Sequence, residues 1–245
     1  MGSKLRLARF DPASLKPGRL CLFVARRGSG KSVLLRDLMG HAREKFDLVI
    51  ALTPTEDSAA AFRKHLPAAC VHEGFAPAVL ENALQLQRDA AKAGKRVRSL
   101  LILLDDCTFD PKIFKSTAMR DLAMNGRHQN VALWTTCQYL VDLPPAVRAQ
   151  IDYVFALYEP VLDNRKKLHK MFFGVLPYPK FCQAMDLATD NYGALVLDNT
   201  ACTPNPSDCL FWYRARSEPG KFQMCRRVYW DLQERPRDDE ALTVV

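Results

Sequence analysis

Gly28-Ser29-Gly30-Lys31-Ser32 is the stretch of this sequence best equipped for chemistry on phosphates. It follows the apolar run Leu20-Cys21-Leu22-Phe23-Val24 and opens into Val33-Leu34-Leu35. A strand, a glycine turn and a helix are therefore expected in that order, which is the arrangement of a P-loop. Glycine has no Cβ to hold backbone N–H groups away from phosphate oxygens. The first turn of the helix adds unpaired N–H groups and the positive end of its dipole. The cradle is read over Ala25, Arg26, Arg27, Gly28, Ser29, Gly30, Lys31, Ser32 and Val33. Lys31 would reach the β- and γ-phosphates of ATP, and the Ser32 hydroxyl would ligate Mg²⁺. The pattern G-x-x-x-x-G-K-[ST] asks for glycine where this chain has Ala25, a cost wherever φ must be positive. A Gly/Ser-rich turn carrying a surface lysine is the plain alternative.

A second centre of chemistry is Leu100-Leu101-Ile102-Leu103-Leu104-Asp105-Asp106. An unbroken apolar run of this length suits a strand buried on both faces of a parallel sheet. Ligands bind outside the carboxyl ends of such strands, where the two acids stand. Asp105 is expected to hold Mg²⁺ opposite the P-loop hydroxyl, and Asp106 to orient and deprotonate the attacking water. An Asp pair capping a helix would look the same in isolation. A third strand, Val131–Gln138, ends in Gln138, which could hydrogen-bond the γ-phosphate or that water.

The rest of the chain supplies elements to position these residues. Residues 1–18 read as a lead-in punctuated by Pro12, Pro17 and Gly18, residues 19–232 as one domain, and 233–245 as a charged, frayed tail. Helices are expected over Lys31–Arg43, Glu56–His65, Pro77–Ala93, Pro111–Asn125, Asn164–Phe173 and Tyr178–Leu187. Strands are expected over Leu48–Leu52, Ala69–Val71, Tyr153–Leu157, Gly193–Leu197 and Cys209–Arg214. This alternation predicts an α/β fold with a mostly parallel sheet flanked by helices and β additions towards the C-terminus.

Composition sets the outer limits. With 48% hydrophobic residues among 245, a sizeable core can be buried. The longest apolar runs are strand-sized, so no transmembrane span is expected. The segment Met1–Arg6 lacks an apolar signal core, and Arg6 spoils a myristoylation site, so a soluble, non-secreted protein is expected. The eight cysteines form no C-x-x-C pair and no zinc spacing, and are expected as reduced thiols. A net charge of +8 favours polyanionic partners without identifying one.

Four pieces in order carry a resemblance: Ala25–Ser32, Leu101–Asp106, Asn125-Gly126-Arg127-His128, and Thr136-Cys137-Gln138-Tyr139-Leu140 running into Leu143-Pro144-Pro145-Ala146-Val147-Arg148. Together they resemble the FtsK–HerA superfamily of P-loop motors, and more narrowly the poxvirus-type genome-packaging ATPases of large DNA viruses. The resemblance spans about Arg19–Leu157. It implies a RecA-like, ASCE-type core with an extra strand between the two nucleotide motifs. It also implies a homo-oligomeric ring, hexamer or pentamer, with ATP at subunit interfaces and double-stranded DNA threaded through the pore. By matching positions, Lys31 and Ser32 form Walker A, Asp105 is the Walker B acid, Asp106 stands at the catalytic acid, and Gln138 at the sensor. The family places Glu more often than Asp at the catalytic acid, so a shorter side chain must be held closer. A trans-acting arginine is implied, with Arg127 and Arg148 as candidates. DNA phosphates could be met by Lys95, Arg96, Arg98, Arg165, Lys166 or Lys167, which solvated faces would explain equally well. Capsid or membrane-associated virion proteins are implied as further partners, in the host cytoplasm or the virion.

Two other classes share the P-loop. A nucleoside or small-molecule kinase would need an arginine-rich lid, for which Arg165-Lys166-Lys167 could be mistaken. A nucleotide-binding scaffold without turnover would lack part of the phosphoryl-transfer set, whereas Lys31, Ser32, Asp105, Asp106 and Gln138 are all present here.

Overall fold

The computed structural model describes residues 5–107, 113–138 and 143–234. Pro111 at an expected helix start, Tyr139 and Leu140 of the resemblance, and the charged tail beyond 234 lie outside the described residues.

The central strand β2 (Leu20–Val24) is buried along its whole length and is flanked on both sides by parallel neighbours. The described strands form one sheet in the order β1 (Ala8–Arg9), β9 (Leu210–Arg214), β8 (Gly193–Asp198), β7 (Tyr153–Ala156), β2, β6 (Val131–Cys137), β5 (Leu100–Leu104), β3 (Leu48–Thr53) and β4 (Val71–Glu73). The pairs from β4 to β7 are parallel, and β8 runs antiparallel to both of its neighbours. Strand β6 thus lies between β2 and β5, as expected of an ASCE-type core. The fold is a mostly parallel α/β sheet, with β8 and β9 as its C-terminal additions.

Side-chain alternation divides the core into two layers. Leu20, Leu22 and Val24 face a cluster built with α3 (Pro77–Lys92), α4 (Thr117–Asn125), α5 (Pro145–Arg148), α6 (Leu162–Met171) and α7 (Tyr178–Ala188). Cys21, Phe23 and Ala25 face the other cluster, with α1 (Lys31–Ala42) and α2 (Glu56–Arg63). Every residue of β2, β5 and β6 is buried, as the unbroken apolar runs require. All eight cysteines are free thiols. No helix among the described residues is long and apolar enough to cross a membrane.

Three expectations change. The helix expected from Pro111 begins at Thr117, because the Ser116 hydroxyl accepts from the Met119 N–H and caps it there. Ile113–Lys115, ahead of that cap, is a separate 3₁₀ turn. Ala69 and Cys70 lie in a 3₁₀ turn, and the edge strand begins only at Val71. Finally, the stretch read as a lead-in contributes β1, which pairs with β9 through Ala8↔Phe211 and Arg9↔Trp212. Its signal was too short to read, two residues being below any periodicity.

Phe10 follows β1 and is 2% exposed. Its ring meets Phe155 and Phe211 edge-on at 5.5 and 5.9 Å. Truncating a buried phenyl costs about 3–5 kcal/mol in lost transfer energy and cavity formation. Phe10→Ala should therefore lower the free energy of chemical unfolding by that amount, with a lowered midpoint. A loss below about 1 kcal/mol, the scale of surface substitutions, would show the N-terminal strand to be an ornament.

Candidate active site

The P-loop lies where β2 ends. Gly28 and Gly30 take positive φ of 80° and 94°, a backbone region that side chains rarely enter. Gly30 occupies the N-cap of α1 without any side-chain cap, so the first-turn N–H groups remain for a ligand. Ala25 does not have positive φ. It is buried in the core at the end of β2, where its N–H donates to the Cys137 carbonyl at 3.0 Å. The missing glycine therefore costs nothing here, and Ala25 does not face the cleft. Ser29 turns back, its hydroxyl donating to the Arg26 carbonyl at 2.7 Å. Arg26 and Arg27 are exposed at the rim.

Strands β2, β6 and β5 end side by side, and that alignment brings the remaining groups together. The Lys31 side chain is 9% exposed; its ammonium lies 3.5 Å from Asp105 Oδ1 and forms an ion pair with Asp106 Oδ2. On β6, the Thr136 hydroxyl donates to Asp105 Oδ1 at 2.9 Å and accepts from the Asp106 N–H at 2.8 Å. Gln138 Nε2 donates to Asp106 Oδ1 at 3.2 Å. Asp106 itself has a φ of 51°, a left-handed conformation that swings it away from the line of β5. Burial raises the pKa of Asp105; Lys31 opposes that shift and the neighbouring Asp106 reinforces it. Cys107, next in sequence, is 1% exposed, and burial followed by the two aspartates pushes its thiol to about 12. It remains a protonated core residue and no nucleophile.

Lys31, Asp106 and Gln138 line a cleft of about 840 Å³ together with Gly28, Gly30, Ser32 and Val33, while Asp105 is buried behind Lys31. The opposite walls escaped the sequence reading. One is the β3–α2 turn, where Pro54, Thr55 and Ser58 face the cleft and Thr55 caps α2. The proline and capping threonine after a buried strand are the signal that could have revealed it. The other wall is Asn191 and Tyr192 before β8, with Arg214, Ala215 and Ser217 leaving β9. That exit is fastened to α1 by Asp37, which is fully buried and takes hydrogen bonds from the Tyr213 hydroxyl at 2.6 Å and from Arg216 Nε at 2.8 Å. Burial, then the Asp37 carboxylate, holds the Tyr213 phenol well above its usual range, so it stays a donor. Nothing in a single sequence pairs an acid in α1 with a tyrosine 176 positions later.

Arg127 and Arg148 do not line this cleft. Arg127 is exposed in the 3₁₀ turn Gly126–Gln129 that precedes β6, beside Gly18, which precedes β2. Arg148 ends α5 shortly before β7 begins. Both therefore stand towards the N-terminal edge of the parallel strands, away from their own P-loop. Lys95, Arg96, Lys166 and Lys167 are exposed, and Arg98 donates to the Tyr229 hydroxyl. Arg165 has to be withdrawn from the cations available to DNA. It is 8% exposed, donates through Nε to the Glu159 carbonyl, and pairs with Asp186 at 2.7 Å.

Two adjacent threonines on β6 separate a structural hydroxyl from an idle one. Thr136 joins both aspartates, whereas the buried Thr135 hydroxyl has no hydrogen-bond partner among the described residues. Leaving buried groups unsatisfied costs about 1–3 kcal/mol, while deleting an unpaired hydroxyl is nearly neutral. Thr136→Val should cost that much in equilibrium unfolding, and Thr135→Val should be neutral or stabilising. Equal losses in the two variants would count against the Thr136 bridge.

Comparison with known proteins agrees with this geometry. The family model described as "Poxvirus A32 protein" matches residues 7–171. An uncharacterized protein, 015R, of Frog virus 3 (isolate Goorha) is 30% identical over 215 residues, covering 87% of this chain and 67% of the relative. Among solved structures, the DNA-packaging ATPase B204 from Sulfolobus Turreted Icosahedral Virus superposes with a TM-score of 0.59 at 16% identity, covering 82% of this chain and all of that one. The genome packaging NTPase B204 from Sulfolobus turreted icosahedral virus 2 in complex with AMPPCP superposes at 0.58 with 15% identity, over 82% of this chain and 100% of that chain. At that identity the two structures establish the fold alone. The family match spans well over half of the sequence and includes the P-loop, both aspartates and Gln138: the chain belongs to the Poxvirus A32 family.

Proposed function

We propose that this chain is an ATP-hydrolysing motor that packages double-stranded viral DNA, with ATP bound at the interfaces of a homo-oligomeric ring. The observation that carries the reading is the meeting of Lys31, Asp105, Asp106 and Gln138 at the ends of three adjacent strands. A scaffold that only held nucleotide would not need the paired acid and its glutamine. The family, and the packaging function of both structural relatives, support the same reading.

The donors suit ATP with Mg²⁺. The open glycine turn and the α1 N-terminus offer backbone N–H groups to phosphate, and Lys31 adds a compact positive charge. Ser32 and Asp105 would supply the hard oxygen ligands that Mg²⁺ takes. Bound there, the ion would neutralise charge on the β- and γ-phosphates. Asp106 takes the proton of the attacking water, whose oxygen bonds to the γ-phosphorus as the bond to the bridging oxygen breaks. The hydrogen bond from Gln138 fixes the carboxylate of Asp106, and the ring of contacts through Thr136 offsets its shorter reach.

The edge position of Arg127 and Arg148, away from their own cleft, supports a role for one of them in a neighbouring subunit's site. Exposed lysines and arginines such as Lys166 and Lys167 would meet DNA phosphates without regard to sequence. Assembly of the virion in the host cytoplasm, with capsid or membrane-associated proteins docking the ring, belongs to the same proposal.

Phosphate release measured with and without duplex DNA tests it. Hydrolysis should rise with DNA, lose that stimulation as salt is raised, and vanish in Lys31→Ala. Asp106→Asn should keep ATP binding and lower hydrolysis by about 10²–10⁴, the usual contribution of a general base. Mixing Lys31→Ala with Arg127→Ala or Arg148→Ala subunits should restore activity for the arginine that acts across an interface. Hydrolysis by a ring that ignores duplex DNA would sink the translocase.

A further inference from the structure

Strand β8 runs opposite to its neighbours, so its first residue, Gly193, lies at the same edge as the ends of β7 and β2. The turn Asp190–Tyr192 before it therefore reaches the P-loop. Asn191 and Tyr192 both adopt left-handed backbone, with φ of 48° and 60°, an uncommon state for one non-glycine residue and more so for two in a row. Gly193 is obligatory at the next position, because a Cβ there would stand 2.1 Å from the Ala188 carbonyl oxygen.

What the strained turn delivers is an aromatic ring. Tyr192 packs on the P-loop, with its Cδ1 3.3 Å from where a Cβ on Gly30 would be. Yet it remains 69% exposed, so burial in its own fold is not what the ring is for. Its surroundings indicate the direction in which a ligand would run. Asp105, Asp106 and Gln138 follow β5 and β6 on one side of β2, where the reading above places the attacking water and so the terminal phosphate. A triphosphate held in the loop must then continue to the other side, towards β7, β8 and β9, where Tyr192, Arg214 and Ser217 wall the same cleft.

We propose that Tyr192 is the platform on which the nucleoside base stacks, and that the strained Asn191–Tyr192 turn exists to present it. This rests on the nucleotide reading above. Aromatic stacking accepts any base, since each has a π-face. The contact therefore supplies affinity for nucleoside triphosphates over bare polyphosphate and discriminates little between ATP and GTP.

Calorimetry with ATP, GTP and inorganic tripolyphosphate tests the proposal on the full chain. Tyr192→Gly removes the ring and suits the left-handed backbone, so its melting temperature should be no lower than that of the wild type. It should bind ATP and GTP about tenfold or more weakly, from the loss of one base–aromatic stack, and bind tripolyphosphate unchanged. Tyr192→Phe should bind all three like the wild type. The proposal is overturned if ATP and tripolyphosphate weaken together in Tyr192→Gly, which would mark a structural prop for the P-loop, or if neither weakens. A wild type that binds none of the three would remove the nucleotide reading itself, and this proposal with it.

Discussion

A lysine ammonium held almost out of solvent is the constraint to which this fold answers. Desolvating such a charge costs several kcal/mol unless opposite charges stand against it. Lys31 meets that requirement with the carboxylates of Asp105 and Asp106, each from the strand two places away in the sheet. Asp105 then carries its own desolvation penalty, visible in its raised pKa. The Thr136 hydroxyl, from the strand in between, ties the two acids to one another. Each compensation calls for a group on a different strand, so the ends of β2, β6 and β5 cannot shift independently.

The opposite side of the cleft is built by different physics. There, one buried acid, Asp37, takes a hydrogen bond from Tyr213 and a 2.8 Å ion pair from Arg216, and so anchors the exit of β9 to the helix that carries the P-loop lysine. A carboxylate with two hydrogen-bonded partners in the interior fixes orientation more than it adds stability. It keeps Arg214 to Ser217 beside the P-loop although these residues come from the end of the domain. The antiparallel β8 completes that wall from a turn that precedes a strand, where the rest of the edge is made from turns that follow strands.

Much of this was legible in the sequence because the parallel core is written in unbroken apolar runs. Leu20–Val24, Leu100–Leu104 and Val131–Cys137 announce themselves, and a polar residue at the end of such a run can face only the ligand edge. Asp105, Asp106 and Gln138 follow such runs, and Lys31 follows the glycine turn after another. Arg165 was misjudged because a basic helix looks solvated until Glu159 and Asp186 are seen beside it. Ala25 was suspected for a conformation it does not adopt, since spacing reports a glycine's place and not its φ. Tyr192 and the Asp37–Tyr213 bond were illegible, as they depend on a strand reversal and on contacts far apart in the chain. Which strand runs backwards is a tertiary decision that local propensity does not record.

The short edge strand Ala8–Arg9 has a consequence for the order in which the chain comes together. Its partner residues, Phe211 and Trp212, follow about 200 positions later, one of the longest closures the fold contains. A ribosome adds about 5–20 residues per second, so the beginning of the chain waits on the order of ten seconds or more before the strand it pairs with has been made. The parallel core from β2 to β7 can collapse during that interval, while Phe10 remains without Phe211 and Tyr213. The aromatic lid over Phe155 thus closes after the parallel strands have been made, and the sheet edge it covers stays open until then.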